Sequence, residues 1–307
     1  MTLAESINKN LPKLKAIRTG KNNTPADMKV QPRKMDFIID ADVPKYWAGG
    51  DPVKTHFFNA VSTLLPMGEA FFIEKFRQQS HRISDPELQI MCRKFCGQEG
   101  HHAREHKVYN DYLAKQYKQI PALEARLISV RNWISSRGDD NIDLALIASA
   151  EHITSAMGNA LLREAGKWLE DDNVFSSMLV WHAVEEVEHK SVAHDIYENI
   201  CGDYSKRIAL MPVIAVVVAG SIGINQLYML HVDGELKKPK TWVNLAKLYL
   251  GKGSVTEAIF NKEFWKFIRP DFHPWQLDDR HLVKVWEEKH DAKEDLRSVK
   301  LTEVIAA

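Results

Sequence analysis

Apolar positions recur every three to four residues along most of the chain, in runs over about 53–80, 86–117, 122–136, 141–170 and 173–200. That period belongs to helices with one buried stripe, and no stretch alternates as a half-buried strand does. Start signals agree with it. Asp51-Pro52 and Asp85-Pro86 each set a capping carboxylate before a proline, which needs no amide partner in a first helical turn. The pattern predicts an all-α chain with four helices long enough for a bundle.

Outside these runs the pattern changes. The first 34 residues carry eight Lys or Arg against two acids and no sustained apolar period, which predicts a flexible basic arm over 1–34. Ordered structure is expected to open near "MDFIIDADVPKYW", with the bundle over 35–203 and a helical extension over 204–307 packed on it. In that extension Ile208–Leu230 holds 23 residues without a charge, enough to span a membrane. Pro212, Gly220, Gly223, Asn225 and Gln226 dilute it, so a buried helix or the interface of a homodimer competes with membrane association. The tail over 241–290, dense in Trp and Phe around "FWKFIRPDFHPWQLDD", reads as short helices capping the bundle.

Composition narrows the function classes. Lys plus Arg and Asp plus Glu balance at 41 each, so there is no bulk field to hold nucleic acid. Three cysteines make no disulfide framework and no signal peptide opens the sequence, so a reducing, cytoplasmic setting is expected.

Chemistry collects on helix faces. In "CGQEGHHAREH", residues 96–106, Glu99, His102 and His106 lie at offsets of 0, 3 and 7 and share one face at about 100° per residue. His101 points away. In "WHAVEEVEHKSVAHDIY", His182, Glu186 and His189 share a face at offsets of 0, 4 and 7, so Glu186-x-x-His189 repeats the spacing of Glu99-x-x-His102. The preceding helices offer one inward carboxylate each. Glu69 lies among Leu65, Phe72 and Phe76, whereas Glu74 runs into Arg77 and Gln78. Glu151 lies beside Thr154, Ser155 and Gly158, small residues that predict a cavity next to it.

Glu69, Glu99, His102, Glu151, Glu186 and His189 thus form a duplicated set from four helices, the ligand set of a ferritin-like dimetal carboxylate site. Four carboxylates would balance two divalent ions, with iron expected first and manganese or zinc as alternatives. His106 and His182 lie about one turn from a ligand and are expected to join the set or to donate to it from behind. Glu185 and Glu188, rotated off the face, are read as solvated charges. His152 and His194 fall off the metal faces, and Cys92 and Cys96 are expected to pack above the site.

The segments "RKMDF", "DVPKYWAGGDPVKTHFFNAVSTLLPMGEAFF", "QEGHHAREHKVYN", "WHAVEEVEHKSVAHDIY" and "RPDFHPWQ" resemble the bacterial family named predicted metal-dependent hydrolases, within the ferritin-like superfamily. The resemblance runs from about residue 33 onward and implies a helical bundle around two metals. His182, four residues before Glu186, resembles the third histidine of di-iron arylamine N-oxygenases. A helical Glu/His site suits oxygen activation, so the leading expectation is an O2-dependent oxygenase or oxidase acting on a small apolar or lipid-like substrate. A hydrolase using metal-activated water is the alternative, and a non-enzymatic iron store or sensor the second.

Overall fold

The computed structural model describes residues 3–39 and 43–290, and every regular element in them is helical. In chain order these are α1 (Leu3–Asn10), α2 (Pro52–Ser62), α3 (Leu65–Gln79), α4 (Pro86–Gln116), α5 (Ile120–Ser135) and α6 (Asp140–Trp168). There follow α7 (Val174–His189), α8 (Val192–Ile200), α9 (Tyr204–Val232), α10 (Pro239–Tyr249), α11 (Val255–Ile259) and α12 (Arg280–His290). The sequence expectation of an all-α chain holds. Helix α3 pairs with α4 and α6 with α7, and the two pairs meet through α3 with α6 and α4 with α7.

Two predicted runs are broken in two. The run over 53–80 divides into α2 and α3 because Pro66 has no amide to bond the Ser62 carbonyl four residues back. That carbonyl accepts instead from Asn110 Nδ2 of α4 at 3.1 Å. The run over 173–200 divides at Lys190, which is drawn off the helix line to Asp279 Oδ1 at 2.5 Å and the Leu277 carbonyl at 2.7 Å. Asp51 caps α2 as expected, accepting from Val53 N at 2.7 Å. Asp85 does not cap α4: its carboxylate accepts the backbone N–H of Asn22 at 2.8 Å.

That bond corrects the reading of the N-terminal segment. Residues 11–39 are irregular, yet Met28, Val30, Met35 and Phe37 are buried, and Asn23 Nδ2 donates to Asp195 at 2.8 Å. Isolated apolar residues in extended chain each fill a separate gap, so no helical period announces them. Organised packing begins well before "MDFIIDADVPKYW", and residues 40–42 of that stretch lie outside the described residues.

Helix α9 packs one face on α2 and α6. The polar residues that dilute its apolar run point inward: Asn225 donates to Thr63 Oγ1 at 2.7 Å and Gln226 to the Val53 carbonyl at 2.8 Å. Val213, Val216, Ile224 and Leu227 point outward, Val216 being 72% exposed. By length and composition this helix could cross a membrane.

Where α6 meets α7, a glycine permits the approach. A Cβ added at Gly158 would stand 3.1 Å from both the Ala183 carbonyl oxygen and Glu186 Cβ. Gly158→Val is therefore expected to destabilise the fold by about 1–3 kcal/mol through overpacking, measured by urea unfolding.

Candidate metal centre

Helices α3, α4, α6 and α7 each deliver carboxylates or imidazoles to one buried spot. Glu69, Glu99, His102, Glu151, Glu186 and His189 are all at most 3% exposed. Their donor atoms fall into overlapping triads whose members lie within 4.8 Å of one another: Glu99, Glu151 and His189; Glu99, His102 and Glu186; Glu69, His102 and His182. The structure thus brings together all six residues chosen from spacing. Glu74 is exposed on the outside of α3, and Cys92 and Cys96 are buried among phenylalanines. His152, off these faces as expected, bonds the Phe264 carbonyl at 2.9 Å.

The two remaining histidines occupy different positions. His182 directs Nε2 at the cluster, 2.9 Å from Glu186 Oε1 and 3.8 Å from Glu69 Oε1. His106 stands one layer back, its Nε2 2.8 Å from His182 Nδ1 and its Nδ1 2.9 Å from Ser62 Oγ.

Hydrogen bonds fix which nitrogen of each ring carries the proton. Asn110 uses its amide N–H groups on Ser62 O and Glu124, so its carbonyl accepts from the Ser62 hydroxyl at 2.8 Å. Ser62 then accepts from His106 Nδ1–H, and His106 Nε2 accepts from His182 Nδ1–H. His182 is left with a bare Nε2 facing the carboxylates. His102 Nε2 donates to Glu185 Oε2 at 3.1 Å, which leaves Nδ1 bare toward the cluster. His189 Nδ1 donates to Gln98 Oε1 at 3.1 Å, since the Gln98 amide nitrogen is committed to Glu188. Its bare Nε2 lies 3.2 Å from Glu99, 3.4 Å from Glu151 and 3.6 Å from Glu186.

Lone pairs pointing at carboxylates repel unless a cation lies between them. Both oxygens of Glu69, Glu99 and Glu151, Oε2 of Glu186, Nδ1 of His102 and Nε2 of His189 are buried without a hydrogen-bond partner. Such atoms are costly in a native core, and here they coincide with the atoms a metal would bind. Electrostatics agrees. Burial, with Glu186 and Glu151 nearby, pushes Glu69 well above the usual carboxylate range, and burial and Glu151 do the same to Glu99. Burial raises Glu151 to about 7. Burial acts against the charge on Glu186 too, and only positive charge at the His189 and His182 nitrogens holds it low, the place a metal ion between those nitrogens and the carboxylates would take. Four carboxylates so placed stay ionised together only with positive charge among them, and the donor set fits divalent metal ions.

An outer layer, missed from the sequence, orients the ligands. Glu185 and Glu188 are not solvated: both are fully buried. Arg33 binds Glu185 Oε1 at 2.9 Å and Glu188 Oε1 at 2.6 Å, and Trp181 Nε1 donates to Glu185 at 3.0 Å. One arginine from the N-terminal segment thus steadies both carboxylates behind His102 and His189. The signal was the helix itself. Residues 174–184 of α7 carry no charge, and a helix apolar on all sides lies at the centre of a fold, where no side of it meets water.

Beside the metal donors lies an elongated cavity of about 170 Å³, bordered by Glu69, Glu99, Glu151, His182 and Glu186 and otherwise walled almost wholly by apolar side chains. Thr154 and Gly158 border it, so the small residues beside Glu151 leave the space expected of them.

The fold and this cluster define an all-helical protein with a buried carboxylate–imidazole site suited to metal. A family model described as "Predicted metal-dependent hydrolase" matches residues 31–278, and the chain belongs to that family. No curated protein and no solved structure matches it.

Arg33→Ala leaves two buried carboxylates without a cation. It is expected to destabilise the fold by about 3–5 kcal/mol and weaken metal retention about 10- to 100-fold, read by urea unfolding and chelator competition.

Proposed function

We propose that the cluster holds two divalent metal ions in a ferritin-like arrangement and that the protein is a metal-dependent hydrolase of substrates with a long apolar part. The observation that carries this reading is the coincidence of unpartnered buried donors with the wall of an apolar cavity. Glu69, Glu99, His102, Glu151, His182, Glu186 and His189 would hold the ions. Bound there, the two ions would act as Lewis acids and lower the pKa of water beside the cavity.

The chain's own residues do the rest. The cavity wall aligns the apolar part of the substrate and excludes bulk water. Glu69 and Glu151, whose carboxylates border the cavity, are placed to take a proton from the attacking water and return it to the leaving group. His106, held by Ser62 and Asn110, keeps His182 in the tautomer that offers Nε2. Family membership favours hydrolysis over the other reactions such a site could support.

Oxidation with dioxygen is a second reading. It is favoured by the cavity wall, which offers few polar groups for the head of an ester or amide but suits an alkyl chain passing the donors. An iron store or sensor would need neither the cavity nor a substrate.

Loading the full chain with zinc, manganese or ferrous iron separates these. The expected result is close to two ions per chain and hydrolysis of long-chain esters or thioesters with zinc or manganese, reduced at least about 100-fold in Glu99→Gln. Turnover only with ferrous iron, coupled to oxygen uptake, would replace hydrolysis by oxidation. Iron oxidation without any substrate turnover would leave the store.

A further inference from the structure

The cavity has one cationic group in its wall among the described residues, Arg131 of α5. Its guanidinium is half-buried and lies 4.6 Å over the Phe71 ring. Its Nε and Nη2 reach only the side-chain oxygen of the adjacent Asn132, at 3.1 and 2.7 Å, and no described carboxylate comes within ion-pair distance. Burial lowers its pKa from the ordinary arginine value although Glu74 and Asp143, beyond ion-pair distance, act the other way, so a bound anion would offset part of the cost of burying it. The wall is otherwise apolar, and α6 contributes to it at intervals between Leu146 and Trp168. Glu151 lies within that stretch, and Ile214, Val217, Val218 and Ile222 of α9 face it.

We propose that this cavity binds a single-chain amphiphile with an anionic head, the head held by Arg131 and the apolar remainder, with any ester or thioester it carries, laid along α6 past the metal donors. The proposal rests on the functional reading above only in taking the cavity as the substrate site. A guanidinium suits a carboxylate or phosphate because its planar fork donates two parallel hydrogen bonds. An alkyl chain suits the rest because it asks nothing polar of the wall.

Binding to the full chain, measured by calorimetry without turnover, tests this independently of the reaction. Palmitate is expected to bind at least about tenfold more tightly than hexadecanol. Arg131→Ala should remove that preference while leaving hexadecanol unchanged, and Val218→Trp, which fills the cavity away from the metal donors, should weaken both. Equal affinities of the acid and the alcohol, or no effect of Arg131→Ala, would overturn the head assignment. Undiminished binding to a folded Val218→Trp would overturn the cavity as the site. Neither result bears on whether the metals hydrolyse or oxidise.

A separate observation concerns the outer face of α9. This helix is apolar on both faces, with Met211, Ile214, Ile222, Met229 and Leu230 inside beside Asn225 and Gln226, and Val213, Val216, Ile224 and Leu227 outside. On α10, which reaches α9 through the bond from Tyr249 to Gln226, Trp242, Val243 and then Leu250 are exposed beside Lys240 and Lys247. Exposed aliphatic and tryptophan side chains beside lysines match the interface of an anionic bilayer, where chains meet head groups. Against a second copy the same lysines would add like charge. We infer that these helices rest on an anionic membrane surface without crossing it.

Co-sedimentation should show binding to vesicles of phosphatidylcholine with one quarter phosphatidylglycerol, weakened at least about tenfold by added salt or by Val216→Glu with Leu227→Glu, in a monomeric protein of unchanged unfolding midpoint. A stable dimer dispersed by the same substitutions, with no vesicle binding, would assign the face to a second copy instead.

Discussion

Four glutamates brought into one dry spot are the constraint on which the rest of this molecule depends. An unpaired buried carboxylate costs several kcal/mol, and among the described residues the four pair only with histidines, not with Lys or Arg. Metal ions would supply the positive charge that the described lysines and arginines do not. The surroundings are built for that: three imidazoles turn bare nitrogens inward, because each donates its other N–H to a partner behind it. The guanidinium behind them, Arg33, stops one layer out, on Glu185 and Glu188.

This layering explains why irregular parts of the chain matter as much as the bundle. A segment without secondary structure delivers Arg33, and the break between α2 and α3 frees the Ser62 carbonyl that positions Asn110. From Asn110 the orientation passes through Ser62 and His106 to His182. A proline placed after the helix break thus acts on the protonation of a histidine at the centre.

The cavity and the surface are related through α9. Its inner residues wall the space beside the metal donors, while its outer residues leave aliphatic side chains in contact with solvent. Asn225 and Gln226 donate to the α2–α3 junction and to α2 and hold the helix in place, while its apolar residues pack into the core, line the cavity or face outward. A surface helix of a soluble protein sets charged or polar residues on its outer face, where α9 has aliphatic ones.

Much of this was legible in the sequence, and the reason is periodicity. Helical spacing alone identified an all-α chain, placed Glu99 with His102 and Glu186 with His189 on single faces, and preferred Glu69 to Glu74 by its neighbours. Spacing along one helix says nothing about what meets it from another. Glu185 and Glu188 looked solvated because their partner lies about 150 residues away in a segment without a period. Which of His106 and His182 faces the cluster was equally out of reach, since both satisfy the angular rule and only the hydrogen bonds of Ser62 and Asn110 distinguish them. The chain by itself determined the helices and the residues whose burial demands a cation. Tertiary structure decided the protonation of the histidines, the pairing of Arg33 and the apolar outer face of α9, because each depends on contacts between segments far apart in sequence.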